Sequence, residues 1–145
     1  MLGFKRAVCV ALMCTFCMAM GFEDCSDAVN AKVAGVKAGR ANQLKLNNMA
    51  INDACAIDLA EWLEDGRDVA VLRLALNQIG DTGIAALAEA LQKNTTLKTL
   101  VLDSNTFGDQ GAQALGEMLM VNRSLKRLDL GNNHLTSSGV KLITL

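Results

Sequence analysis

The sequence predicts an α/β solenoid, a curved array of strand–turn–helix units with parallel strands inside and helices outside. Three observations support this fold class: a spacing of 28 residues between similar segments, leucines that alternate with other residues at the start of each segment, and an apolar stripe at helical spacing in its second half. Because such a unit buries its apolar face only against its neighbours, consecutive copies stack into one curved core.

Four copies of the unit follow one another from Ala41 to Leu145 without an insertion. The copies are residues 41–68, 69–96, 97–124 and 125–145. The first has Met49 and Cys55 where the others have asparagine and glycine, which indicates either an N-terminal capping repeat or sequence drift. The fourth is incomplete and ends on an apolar residue. We therefore expect a fragment of a longer array, or an end surface covered by a partner or a second copy.

Each unit opens with a predicted short strand. Its alternating leucines are Leu44 and Leu46, Leu72 and Leu74, Leu100 and Leu102, and Leu128 and Leu130. Asn77, Asn105 and Asn133 come three residues after the second leucine of each clear copy. A buried amide at this place can bond the backbone of neighbouring turns, so we expect these asparagines to be structural.

The second half of each unit is a predicted amphipathic helix. Good N-cap residues precede it, namely Asp53, Asp81, Asp109 and Ser137. Two residues later stand Gly83, Gly111 and Gly139, which we expect to let each helix approach the strand layer closely. Gly116 lies outside this column and is expected to have more room for a side chain.

The pattern L-x-x-L-x-L-x-x-N, with G-D-x-G before the helix, resembles the leucine-rich repeats of the ribonuclease-inhibitor type. That class includes ribonuclease inhibitor, NLR-type immune receptors and the Ran GTPase-activating protein, and the resemblance covers residues 41–145. It implies a protein-interaction scaffold that binds its partner on the concave strand face. Two alternatives stay open: a regulator of a small GTPase, similar to the Ran GTPase-activating protein, and a fragment of a larger NLR-like receptor.

The residues that flank the core leucines are predicted to point out of the concave face and to contact an unidentified protein partner. These candidate partner-binding residues are Gln43, Lys45, Arg73, Thr99, Val101, Asp103, Arg127 and Asp129. Arg73 and Arg127 are the strongest candidates to anchor an acidic partner. A merely solvated face is the alternative.

Composition argues against most other functions. The net charge of −1 lacks the basic excess of a nucleic-acid-binding protein, and the single histidine, His134, excludes any mechanism that needs two. Gly80-Asp81-Thr82-Gly83 precedes a helix but lacks the residues of a nucleotide-binding loop. We therefore predict that the protein is not an enzyme and takes no cofactor, metal ion, nucleic acid or small-molecule substrate.

The first forty residues differ from the repeats. Lys5 and Arg6 precede an uncharged stretch at 7–22, so residues 1–21 are predicted to be a secretory signal peptide or another hydrophobic N-terminal segment, and residues 22–40 a cap or linker. Membrane association is expected only if residues 7–22 act as an anchor. Localisation therefore depends on this segment, secreted if it is cleaved and cytoplasmic otherwise.

Cysteines and sequons would matter in an oxidising compartment. Cys25 and Cys55 either form a disulfide or stay as two thiols. Asn94-Thr95-Thr96 and Asn122-Arg123-Ser124 have the form of glycosylation sites. Because both occupy the same repeat column, a purely structural preference for asparagine there is the alternative.

Overall fold

The computed structural model describes Cys25 and residues 27–37, 42–64 and 68–143. The predicted signal peptide at 1–21 and the anchor at 7–22 lie outside these residues. The helices are α1 (Asp27–Lys37), α2 (Asp53–Glu64), α3 (Asp81–Lys93), α4 (Asp109–Val121) and α5 (Ser137–Ile143). The strands are β1 (Gln43–Lys45), β2 (Val71–Arg73), β3 (Thr99–Val101) and β4 (Arg127–Asp129).

The four strands form one parallel sheet in the order β1-β2-β3-β4. Leu72 pairs with Leu44 on one side and with Leu100 on the other, so the register advances by one repeat at each strand. Strands and helices alternate along the chain, and each helix from α2 to α5 packs against the next. The predicted α/β solenoid is confirmed.

The core lies between the sheet and the helices. The alternating strand leucines of the second and third units are fully buried, as are Ile79 and Phe107 at the turn after the strand. In the fourth unit the equivalent Leu128, Leu130 and Leu135 are only partly buried. The side of the sheet beyond β4 is therefore open in the described part of the chain.

The opposite side of the sheet is closed by α1. Val29 of this helix is buried in the core, and the Lys32 ammonium donates a hydrogen bond to the carbonyl oxygen of Lys45, the last residue of β1, at 2.9 Å. A disulfide joins Cys25, just before α1, to Cys55 in the first turn of α2. Of the two alternatives, the structure has the disulfide, which links α1 covalently to the first unit.

The aspartates at the helix starts are not N-caps, contrary to the prediction. Gly80 and Gly108 occupy the N-cap positions of α3 and α4, so the residue at the cap supplies no side-chain capping bond to its own helix. Asp81 is instead the first residue of α3, and its carboxylate accepts hydrogen bonds from the following unit. The side chain serves the next helix rather than its own.

One position of each unit has a left-handed backbone. The values of φ are 54° at Asn48, 58° at Leu76, 56° at Ser104 and 49° at Asn132. Asparagine tolerates this conformation, whereas leucine is strained in it by about 1–2 kcal/mol. At this position the second unit therefore has a strain that asparagine avoids in the first and fourth units, although the first unit has a further left-handed residue in Ala50, with φ of 52°.

We expect Leu76→Asn to raise the free energy of unfolding by about 1 kcal/mol, because it relieves left-handed strain at a side chain that contributes little to the core. Leu76 is 58% exposed, so little apolar burial is lost. Chemical denaturation measures the change. Val121→Asn is the control, since Val121 is also 58% exposed but lies in a helix. An equal gain in both variants would contradict the strain at Leu76.

Candidate protein-binding face

An asparagine ladder fastens the end of each strand to the preceding unit. The Asn77 amide nitrogen donates to the carbonyl oxygens of Leu46 and Leu74 at 2.9 and 2.8 Å, and its oxygen accepts from the amides of Met49 and Ile51. One side chain thus satisfies backbone groups of two units where the strand ends and the turn begins.

Asn105 repeats this arrangement one unit further on. Its amide nitrogen donates to Leu74 and Leu102 at 2.9 Å each, and its oxygen accepts from Ile79 at 3.2 Å. Asn133 also donates to the carbonyl oxygens of its own and the preceding unit, but its side chain is only partly buried. The ladder holds the concave edge of the turns in a fixed register.

An aspartate ladder fastens the helix starts in the same way. The Asp53 carboxylate accepts from the Gly80 amide at 2.6 Å, and the Asp81 carboxylate accepts from Gly108 and Gly111 at 2.9 and 2.7 Å. Each carboxylate therefore supplies an acceptor to backbone N–H groups at the start of the next helix. The sequence contains this column, but its reach into the following unit had not been predicted.

The column glycines make room for these carboxylates, which the repeat pattern alone does not predict. A Cβ at Gly83 would lie 2.7 Å from Asp53 Oδ1 and 3.0 Å from Ala56 Cβ of the preceding helix. Gly111 and Gly139 face Asp81 and Asp109 in the same manner. A Cβ at Gly83 would also lie 2.8 Å from Ile79 Cγ2, and one at Gly111 would lie 3.0 Å from Phe107 Cδ2. The helix therefore packs closely against the turn that follows the strand as well as against the preceding aspartate.

Gly116 is also tightly packed, contrary to the expectation. A Cβ there would press on the carbonyl oxygen of Leu142 in α5. This proximity arises from the packing of two successive helices, which a column of the repeat does not reveal.

Asp109 continues the aspartate ladder into the fourth unit. Hydrogen bonds from the Thr136 hydroxyl and backbone amide, with a further bond from the Gly139 backbone, hold the pKa of Asp109 below its usual range. A carboxyl with a lowered pKa in the folded state stabilises the fold above its usual pKa and loses this contribution as the pH falls through the lowered value. The contribution of this link between the third and fourth units to stability is therefore lost only when the pH becomes acidic.

The two sequon asparagines form a third ladder at the helix ends. Asn94 and Asn122 are 6% and 9% exposed, and their amide nitrogens donate to the carbonyl oxygens of Leu63 and Leu91. The Asn122 oxygen accepts from the Ser124 amide and hydroxyl. In the folded chain the nitrogen that would receive a glycan is buried and bonded, so the structural alternative accounts for both motifs.

The strand register places the predicted partner-binding residues in two rows across the concave face. One row contains Gln43, Val71, Thr99 and Arg127, and the other contains Lys45, Arg73, Val101 and Asp129. Asp103 follows β3 and accepts a hydrogen bond from the Asn132 side chain at 3.2 Å. Gln43, Lys45, Arg73, Arg127 and Asp129 are exposed, and Thr99, Val101 and Asp103 are partly buried.

The face is polar at both ends, and its charges are unevenly distributed. Lys45 and Arg73 are paired across neighbouring strands, so their positive charges lie side by side on the α1 side. Asp103 and Asp129 lie toward the open side, where a Cβ at Gly131 would be 2.6 and 3.6 Å from their carboxylates. A partner with an acidic region over β1 and β2 matches this arrangement best.

The described residues were compared with the requirements of a metal site and of a membrane-spanning helix. No group of three or more His, Cys, Asp or Glu side chains there is placed to hold a metal ion. Over the same residues, every helix is too short or too polar to cross a bilayer.

Comparison with known proteins agrees with this architecture. The family model described as "Leucine Rich repeat" matches residues 69–88, 93–116 and 121–143. A solved structure named "Leiomodin-1 Actin-Binding Site 2 (ABS2)" is similar with a TM-score of 0.69 and 25% identity, over 78% of this chain and 69% of that chain. No curated protein matches in sequence. The ribonuclease-inhibitor subtype is not established by these likenesses, but the repeats and the solenoid together identify the chain as a leucine-rich repeat protein.

Proposed function

We propose that this leucine-rich repeat protein is a non-catalytic scaffold that binds a protein partner across its concave face. The observation that supports this most directly is the row formed by Lys45, Arg73, Val101 and Asp129, in which charged side chains flank an apolar one. Four strands about 4.8 Å apart make a face only about 15 Å wide, so we expect this face alone to bind weakly. The resemblance to GTPase regulators has no specific observation in its favour.

Actin is the first protein to test as the partner, because the similar solved structure is named an actin-binding site. In co-sedimentation with actin filaments, we expect Arg73→Glu to weaken binding about tenfold or more, since it places a negative charge in the basic part of the face. Lys93→Glu is the control. Lys93 lies on helix α3, away from the strands, in an exposed ion pair that contributes little.

Two experiments distinguish a wrong partner from a wrong binding face. If the wild-type protein does not sediment with actin, actin is not the partner. A photoreactive residue at Thr99 then tests the face itself in an extract of the cells that make the protein, with Glu89 on α3 as the exposed control position. Adducts at Glu89 but none at Thr99 would exclude the concave face.

A further inference from the structure

The backbone turns the side chain of Leu76 out of the core. Leu72 and Leu74 of the same unit are fully buried, and the alternation of a strand would send Leu76 into the core as well. The left-handed φ of 58° at Leu76 ends this alternation, and its side chain is 58% exposed instead. Leu76 therefore adds strain to the backbone while it contributes little to the core.

The exposure of Leu76 does not arise from a missing neighbour, because described units flank it on both sides. The Asn48 amide donates to the Ala75 carbonyl oxygen at 2.9 Å, and the Leu76 amide donates to the Asp103 carbonyl oxygen at 3.0 Å. Asn48 and Ser104 have the same backbone conformation in those two units, so the repeat does not require an apolar side chain at this position. A residue that is both strained and exposed is typical of a contact with another molecule.

Leu76 also lies close to the basic part of the concave face. It comes three residues after Arg73, the last residue of β2. An extended chain spans about 10 Å in three residues, so one short peptide can reach both side chains. The other large apolar side chains that are exposed in the described ranges all lie on helices α4 and α5, namely Met120, Val121, Val140 and Leu142.

The basic pair Lys45 and Arg73 lacks a counter-charge. The two residues are register partners on adjacent strands, where like charges repel each other. Among the described residues, neither side chain forms a hydrogen bond or an ion pair. The Asp103 carboxylate is engaged elsewhere, since it accepts hydrogen bonds from the Ser104 hydroxyl at 2.9 Å and from the Asn132 side chain at 3.2 Å. Carboxylates of another molecule would relieve the repulsion between Lys45 and Arg73.

We propose that Leu76, Lys45 and Arg73 together bind a short acidic segment of the partner that carries one large apolar side chain. The apolar side chain covers Leu76, and carboxylates of the segment lie between Lys45 and Arg73. Burial of the apolar pair supplies most of the affinity, whereas the exposed charges orient the segment and favour acidic sequences. The site belongs to the concave face, so it rests on the proposed function.

Panning a phage-displayed library of random short peptides on the full chain tests this site without the natural partner. We expect the enriched peptides to contain Asp or Glu within about four positions of a large apolar residue, because this distance matches the site. The affinity of a synthetic copy of an enriched peptide is then measured by fluorescence anisotropy. Leu76→Asn and Arg73→Glu should each weaken its binding about tenfold or more.

Val121→Asn and Lys93→Glu are the matched controls. Val121 is as exposed as Leu76 but lies on α4, and Lys93 is an exposed basic residue on α3. Both variants should bind the peptide as tightly as the wild type does. Since Leu76→Asn is expected to be more stable than the wild type, unfolding cannot explain a loss of binding in that variant.

The possible results separate this site from the concave face as a whole. If only one of the two substitutions at the site weakens binding, the combined site is wrong, although the concave face remains the binding surface. Enriched peptides that neither substitution weakens would contradict the concave face as well. Enrichment of peptides without carboxylates, or no enrichment at all, would overturn the site, and crosslinking at Thr99 would then decide whether the face binds a partner through other residues.

Discussion

Replacing Asn105 with leucine is expected to lower the free energy of unfolding by about 3 kcal/mol or more, because several buried backbone groups lose their partners at about 1–3 kcal/mol each. Asn105 is 4% exposed, and its amide serves the carbonyl oxygens of Leu74 and Leu102 and the N–H of Ile79. Leucine is similar in size but can accept or donate none of these bonds. Urea denaturation measures the loss.

Asn133→Leu provides the matched control. Asn133 has the same position in the fourth unit and bonds the Leu102 and Leu130 carbonyl oxygens. Its side chain is partly exposed, so water can replace much of what the amide supplies, and we expect a loss of only about 1 kcal/mol. Equal losses in the two variants would mean that burial of the ladder does not matter. No loss at Asn105 would refute the ladder itself.

The sequence was sufficient to predict the solenoid and the asparagine column. A period of 28 residues determines which residues face each other in adjacent strands, and the register of Leu72 with Leu44 and Leu100 follows from it. The chemistry of asparagine then explains why Asn77 and Asn105 close the strands, since few other side chains both donate and accept.

The aspartate column shows where this reasoning stops. An aspartate before a helical stripe usually caps its own helix, and the sequence contains nothing that says how far apart successive helices lie. Only the stacking distance between units brings Asp81 within reach of Gly108 and Gly111. Because the sequence does not give the distance between successive units, it also could not predict the tight packing of Gly116 or decide whether Cys25 is paired.

The left-handed column is also beyond the repeat pattern. Asn48, Leu76, Ser104 and Asn132 share a backbone conformation but not a residue type, so no column of similar residues reveals them.

Gly83→Ala is expected to lower the free energy of unfolding by about 2–3 kcal/mol, combining overpacking with a lost hydrogen bond. The added methyl group would lie 2.7 Å from Asp53 Oδ1, 2.8 Å from Ile79 Cγ2 and 3.0 Å from Ala56 Cβ. Asp53 cannot turn away without releasing the Gly80 amide, which it holds at 2.6 Å. The methyl group therefore breaks the contact between α2 and α3 or the bond between their units.

Gly35→Ala separates this packing effect from the intrinsic preference of helices for alanine. Gly35 lies in α1, and a Cβ there would meet nothing within 4 Å. Alanine is favoured over glycine in a helix by about 0.5–1 kcal/mol, so this variant should be more stable than the wild type. The same chemical change thus has opposite signs at the two sites. A gain in stability at Gly83 would show that the preceding aspartate can move freely, and that the glycine column is not needed to hold adjacent repeats together.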